Sequence, residues 1–373
     1  MQLSPEERDW FSLHLVPGIG PRLAAALLRR FGSAAAILNA SSSELLEIPH
    51  LPAVTAAAIK KSLASPDIDV ELDLMARHQV RLIRLGTDDY PPALATISVP
   101  PRFLYVRGAL AKSDAHAIAI VGSRACTSYG QRIAERLGAD LARAGYTVVS
   151  GLARGIDGCA HRGALEAKGR TIAVLAGGLS KIYPPEHADL AQAVADSGAL
   201  ITESAMRMEP MAGMFPARNR IISGLCRAVV LVEANEKSGA LITARHAAEE
   251  GREVFAIPGP VDSAASAGTL KLLRDGAKLI RHARDLLDDL QTLAPLFGPT
   301  TENTAILPPG PVQPPPGLDD LGQKIWDFLS STRNVDDLAR HAELSTASMS
   351  GVLMGLELKK VIRRLPGNLY ERF

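Results

Sequence analysis

Cysteine is scarce: Cys126, Cys159 and Cys226 are widely spaced and form no Cys-x-x-Cys pair. Three thiols cannot all be joined within one chain, so a disulfide framework is excluded and a reducing, cytoplasmic setting is expected. Neither sign of charge is in excess, with 41 basic residues against 40 acidic ones in 373. A basic coat for nucleic acid is therefore lacking, and any such site must concentrate its cations locally. No apolar run approaches transmembrane length, and the opening MQLSPEERDW has no signal-peptide core, so no membrane partner is expected. His161, His187 and His246 do not stand at a metal-ligand spacing, and no metal or cofactor is assigned.

Several catalytic signatures are missing as well. After Gly122 come Ser123 and Arg124, not the Gly-x-Gly-x-x-Gly of a dinucleotide site. In NEKSG, Glu236 stands where a P-loop needs glycine, which argues against ATP hydrolysis. A Gly-x-Ser-x-Gly elbow is also lacking. Without an evident nucleophile and base, no catalytic residue is assigned, and binding is favoured over turnover.

What is present divides the chain into parts. Residues 1–70 read as helices, with turns at PGIG and FGS, and residues 296–317 form a proline-rich linker. Residues 318–373 are short and helical, with a hairpin at the end. Between them, about 75–290, apolar runs such as AIAIVGS, TVVSG, TIAVLAGG, ALITE, AVVLVEA and EVFAIPG alternate with amphipathic stretches such as YGQRIAERLGADLARAG. This alternation predicts an α/β fold: a parallel sheet covered on both faces, with ligands beyond the carboxyl ends of its strands.

Glycine-containing turns follow those strands. They place Gly122, Ser123 and Arg124 after one, Gly151 and Gly155 of SGLARGID after another, and Lys181 after a third. Lys237, Ser238 and Gly239 follow a later strand. Glycine lets backbone amides approach a ligand, and helix N-termini favour anions. The stretch FPARNRIISGLC adds Phe215, Arg218, Asn219 and Arg220, read as the start of a helix with Pro216 in its first turn and Ile221, Ile222 and Leu225 on its buried face. At least one of its two arginines is expected to pair with a carboxylate such as Glu203, and Asp157 either caps a helix or pairs with an arginine.

Taken in order, VGSR, SGLARGIDGCAHRGAL, TIAVLAGGL, IYPPEH, FPARNRIISGL, SGALITARHAAEEGREVFAIPG and GTLKLLRDGAKLI resemble the DNA-processing protein A (DprA/Smf) family over roughly residues 85–285. The resemblance implies an extended Rossmann-like core, flanked by an N-terminal helical SAM-like domain and a C-terminal winged helix. It implies single-stranded DNA binding, a homodimer through the core, and loading of RecA onto incoming DNA in natural transformation. Carried onto this chain, Gly122, Ser123 and Arg124 open the DNA pocket and Lys181 meets phosphate. Phe215 stacks on a base beside Asn219 and Arg220. Stacking and phosphate contact together suit a single strand of any sequence.

The flanks are read separately. LVPGIGPRLAAALLRRFGS has the form of a helix–hairpin–helix with Gly18 and Gly20 in its turn; the second copy, IPHLPAVTAAAIKKS, has no glycine there. Residues 318–373 carry eight basic and eight acidic residues, which favours protein contact or an accessory role over reading duplex sequence. The alternative function is a nucleotide-binding or phosphoribohydrolase-like enzyme on a related core. Against it, SGALITARHAAEEG offers no acid before Glu249.

Overall fold

A computed structural model of the chain describes residues 3–62, 67–293, 315, 318–329, 332–359, 361–365 and 368–372. Two compact units result, Met1–Thr300 and Thr301–Phe373. The proline-rich segment expected at 296–317 lies outside the described residues, apart from Pro315. Among the described residues no helix is long and apolar enough to cross a membrane.

The first unit is built on a nine-stranded sheet. In chain order its strands are β1 (Val80–Arg84), β2 (Phe103–Gly108), β3 (Ala117–Val121), β4 (Thr147–Ser150), β5 (Thr171–Val174), β6 (Ala199–Thr202), β7 (Ala228–Leu231), β8 (Glu253–Ala256) and β9 (Lys278–Leu279). Their spatial order is β1-β2-β6-β5-β4-β3-β7-β8-β9. From β6 to β9 every pairing is parallel. Alternation along β3 serves two cores: Ile118 and Ile120 pack under the helices Ser128–Arg143 and Ile156–Glu166, while Ala119 and Val121 join the opposite face with Ile221, Ile222 and Leu225.

Within the sheet the structure differs from the sequence reading at two strands or strand pairs. β1 and β2 join the sheet antiparallel, because only the four-residue helix Pro92–Ala95 lies between them, too short for a parallel crossover. The two-residue edge strand β9 carries too little pattern to be read as a strand.

The helical N-terminus comprises Pro5–Leu15, Pro21–Phe31, Ala34–Asn39, Ser42–Leu46, Ala53–Ser62 and Asp67–Arg77. Its first helix opens on a capping box: Ser4 Oγ accepts from the Glu7 amide, and the Glu7 carboxylate accepts from the Ser4 amide at 2.7 Å. Gly18 takes a φ of +88°; in the second hairpin His50 takes the left-handed position, at +65°. These helices share a core with the sheet. Phe11 is fully buried, with its ring 5.6 Å from that of Phe103 on β2. Arg102 lies over the Trp10 ring at 3.6 Å. Phe11, Leu13 and Met75 of these helices thus share one apolar cluster with Phe103 and Tyr105 of β2.

Helix Met214–Leu225 starts two residues before Pro216. Arg218, Asn219 and Arg220 consequently sit in its second turn, away from the free amides of the helix start. Arg220 Nη2 meets Glu203 Oε2 at 2.5 Å, with only 10% and 21% of the two side chains exposed. This is the carboxylate pairing expected of one of the two arginines. Burial raises the Glu203 carboxyl above its ordinary range, and Arg220 pulls it back down.

The second unit has helices Asp320–Phe328, Val335–His341 and Thr346–Leu358, with strands Ile362–Leu365 and Leu369–Arg372 paired as a wing. A short strand, Arg333–Asn334, adds to the outer side of Leu369–Arg372. Pro366 and Gly367 of the expected wing turn lie outside the described residues. A core of Ile325, Trp326, Leu338, Leu353 and Ile362 holds the unit together.

Phe11→Ala is expected to lower stability by about 3–5 kcal/mol and to melt helices and sheet together in one transition. Calorimetry checks this; a separate low-temperature transition for the helical segment is the contrary result. Arg220→Ala leaves Glu203 half-enclosed without its partner and is expected to cost about 3 kcal/mol at pH 8. A carboxyl raised by burial binds its proton more tightly in the folded chain, so the loss should shrink as the pH falls towards 5. Thermal melts of both proteins at the two pH values check the sign.

Candidate functional site

A cleft opens beyond the carboxyl ends of β3, β4 and β5. Arg124, Gly151, Lys181, Phe215 and Arg218 all line it. The sequence had marked these five on four separate segments, and the parallel topology brings them together.

Arg218 is buried, only 5% exposed. Its guanidinium presses against Gly151 so closely that a Cβ there would sit 1.5 Å from Nη1. Any larger residue there would push the guanidinium from this position. Arg218 Nε makes no hydrogen bond among the described residues. Burial lowers the Arg218 pKa to about 10, against the pull of Asp157, so the group stays cationic at neutral pH. Asp157 is itself buried and accepts from the Gly151 and Ala153 amides at 3.1 and 3.3 Å. Burial pushes its carboxyl up; Arg218 and these amides draw it back.

Those bonds alter the expected chemistry of the glycine turns. The Gly151 amide is directed at Asp157, that of Gly178 at Met208 O (2.8 Å) and that of Ser123 at Glu233 O (2.7 Å). These amides hold the turns in shape, leaving side-chain cations as the anion-facing groups of the cleft. Arg124 is exposed and stacks over the Phe215 ring at 4.6 Å. Tyr183 stands 6.1 Å from the same ring, tilted by 59°. Lys181 pairs with Glu209 at 3.1 Å, both side chains more than 70% exposed, a contact weak enough to give way to another anion.

The remaining candidates do not line the cleft, and Lys237 and Ser238 line a separate pocket. Gly155, at φ +71°, lets its loop approach the Ser123 and Arg124 carbonyls, where a Cβ would sit 2.3 Å from Ser123 O. Gly122 packs against Ile156. Asn219 Nδ2 donates to Gly239 O at 3.2 Å. Lys237, Ser238 and Gly239 form the turn before helix Ala240–Glu249, where the Lys237 amide donates to Asn235 Oδ1 at 2.9 Å. Arg220 faces Glu203. Arg154 and Tyr183 line the cleft although neither was singled out from the sequence. Both stand inside motifs already marked, SGLARGID and IYPPEH, and that adjacency was the available signal.

The topological switch point lies between β3 and β7. There Glu233, 3% exposed, accepts from the Thr127 amide at 2.8 Å and from the Thr127 hydroxyl, at the start of helix Ser128–Arg143. A carboxylate thus occupies the place where doubly wound folds seat a nucleotide phosphate.

Known proteins share this architecture. Residues 81–291 match the family described as DNA recombination-mediator protein A, residues 309–368 the DprA winged helix domain, and residues 13–65 the SAM-like helix-hairpin-helix tandem. The DNA processing protein DprA of Bacillus subtilis is 40% identical over 260 residues, covering 68% of this chain and 88% of that one. Protein Smf of Escherichia coli is 38% identical over 321 residues, covering 84% of each. The X-ray structure of DNA processing protein A from Streptococcus pneumoniae superposes with a TM-score of 0.65 at 31% identity, over 78% of this chain and 99% of that one. The Helicobacter pylori protein, described for its single-stranded DNA binding mode, gives 0.52 at 29% identity, over 58% and 98%. With its α/β core, helix-hairpin-helix segment and winged helix all matched in order, the chain belongs to the DNA recombination-mediator protein A (DprA/Smf) family.

Proposed function

We propose that the cleft binds single-stranded DNA, and that the protein acts without chemical turnover as a recombination mediator. It protects incoming strands and loads RecA onto them during natural transformation, working as a homodimer through its α/β core. One observation carries this reading: a buried Arg218, cationic at neutral pH, lines a cleft whose rim combines exposed cations with the Phe215 ring. Phosphate supplies the anion for Arg218, Arg124 and Lys181, and an unstacked base supplies the face for Phe215. Duplex DNA hides its base faces and suits the cleft poorly. The single-stranded DNA binding described for the Helicobacter pylori relative points the same way.

Two further features support it. Glu233 at the switch point opposes a nucleotide phosphate there, which disfavours the phosphoribohydrolase-like alternative. In the C-terminal unit the helix Thr346–Leu358 has Glu357 as its one charged residue and exposes Met354 and Leu358. That surface suits a protein contact better than a phosphate backbone.

Fluorescence anisotropy of labelled oligo-dT, titrated across salt, tests the binding. Tight binding that falls steeply with salt, with duplex of equal length much weaker, is expected. Phe215→Ala should weaken it about fivefold or more. Arg124→Ala should weaken it too and reduce the salt slope by roughly 0.7 per lost phosphate contact. Full retention of binding in both variants would remove the cleft as the site. Assembly of RecA on strands already coated by a single-strand-binding protein tests the mediator role: acceleration by this protein is expected, and an unchanged rate is the contrary result.

A further inference from the structure

The wall of the cleft nearest β5 and β6 is two turns packed face to face, residues 177–181 and 205–210. Their contact is tight: a Cβ on Gly178 would lie 2.1 Å from Ala205 O and 2.2 Å from Met206 O. The Gly178 amide donates to Met208 O at 2.8 Å, and the Ser180 amide and hydroxyl donate to Met206 O at 3.1 and 2.5 Å. The cleft residues Lys181 and Pro210 stand at the ends of these turns. A shift of Met206 therefore displaces both turns at once.

Met206 is held from outside the α/β core. Glu71, on helix Asp67–Arg77 and only 6% exposed, accepts from the Met206 amide at 2.6 Å. The Met206 side chain, fully buried, belongs to the same apolar cluster as Phe11, Leu13 and Met75 of the helical segment. A second foot of this brace is His14: its ring packs 5.4 Å from Phe103 and 5.8 Å from Tyr105, and it faces the backbone of Glu203, the partner of Arg220. The loop from Glu203 to Pro210 is thus fixed by residues more than a hundred positions earlier in the chain.

We propose that Glu71 is a positioning residue for the cleft: by holding the Met206 amide it sets the wall formed by residues 177–181 and 205–210, so the N-terminal helical segment shapes the binding site without touching its ligand. The consequence for DNA rests on the single-strand reading above; the consequence for the wall does not. Glu71→Ala removes the acceptor and leaves a buried amide unpaired. Glu71→Gln keeps a carbonyl oxygen for the same amide and serves as the conservative rescue. Arg102→Ala loosens the same interface at Trp10 without reaching Met206, and serves as the control for general loosening.

Two readouts on the full chain separate the outcomes. Hydrogen exchange of the Gly178 and Ser180 amides should accelerate in Glu71→Ala at least tenfold relative to wild type, and little in Glu71→Gln or Arg102→Ala. Oligo-dT affinity should fall roughly fivefold in Glu71→Ala and stay within twofold in the other two. Unchanged exchange in Glu71→Ala overturns the brace. Accelerated exchange with unchanged affinity overturns its role in positioning, and so do equal losses of affinity in Glu71→Ala and Arg102→Ala. If wild type binds no oligo-dT, the single-strand reading fails while the exchange result still decides the brace. Should Glu71→Ala not be recovered folded, Glu71→Asp, which withdraws the carboxylate by one methylene, takes its place under the same criteria.

Discussion

A guanidinium buried beneath a cleft is the constraint around which this protein is arranged. Removing the charge of Arg218 from water is costly, and the surroundings answer that cost in several ways. Asp157 stands behind it as a counter-charge, and that carboxylate is itself steadied by two backbone amides of the 151–155 turn. Residue 151 must be glycine for the guanidinium to fit. Helix Met214–Leu225 must lie flat on the sheet, which its buried Ile221, Ile222 and Leu225 ensure. One side chain thus links β4, the helix after it and the helix before β7.

Near neutrality of the whole chain and strong charge in the cleft are compatible because topology concentrates what composition dilutes. Parallel strands deliver their following turns to one edge, so Arg124, Arg154, Lys181 and Arg218 converge from three turns and a helix. Carboxylates pair with cations both at the cleft rim and beyond it: Glu209 with Lys181, Glu186 with Arg154, and Glu203 with Arg220. Glu233 does a comparable task at the switch point, where it satisfies the helix start and leaves the neighbouring cleft as the anion-facing region.

The helical N-terminus enters the same arrangement through packing. Phe11, His14 and Glu71 reach β2 and the 203–210 loop, and Phe11 shares one apolar cluster with Phe103, Tyr105 and Met206. A helical segment and an α/β sheet fuse into one core when each leaves an apolar face that the other covers. The winged helix has a core of its own, built on Ile325, Trp326, Leu338, Leu353 and Ile362.

By itself the sequence determined the fold class, since alternating apolar strands and amphipathic helices impose a doubly covered parallel sheet. It also identified the segments that form the cleft, because glycine turns and cations after strands are local signals. Tertiary structure alone decided which of two arginines two positions apart faces the cleft. Arg218 and Arg220 are separated by about 200° around a helix, so one points to the strand ends and the other to Glu203. It also decided that glycine-turn amides bond inward, to Asp157, Met208 and Glu233. Those partners lie too far along the chain, or in too specific a geometry, for local pattern to specify. The link from Glu71 to Met206 spans 135 positions, and only the folded core brings the two together.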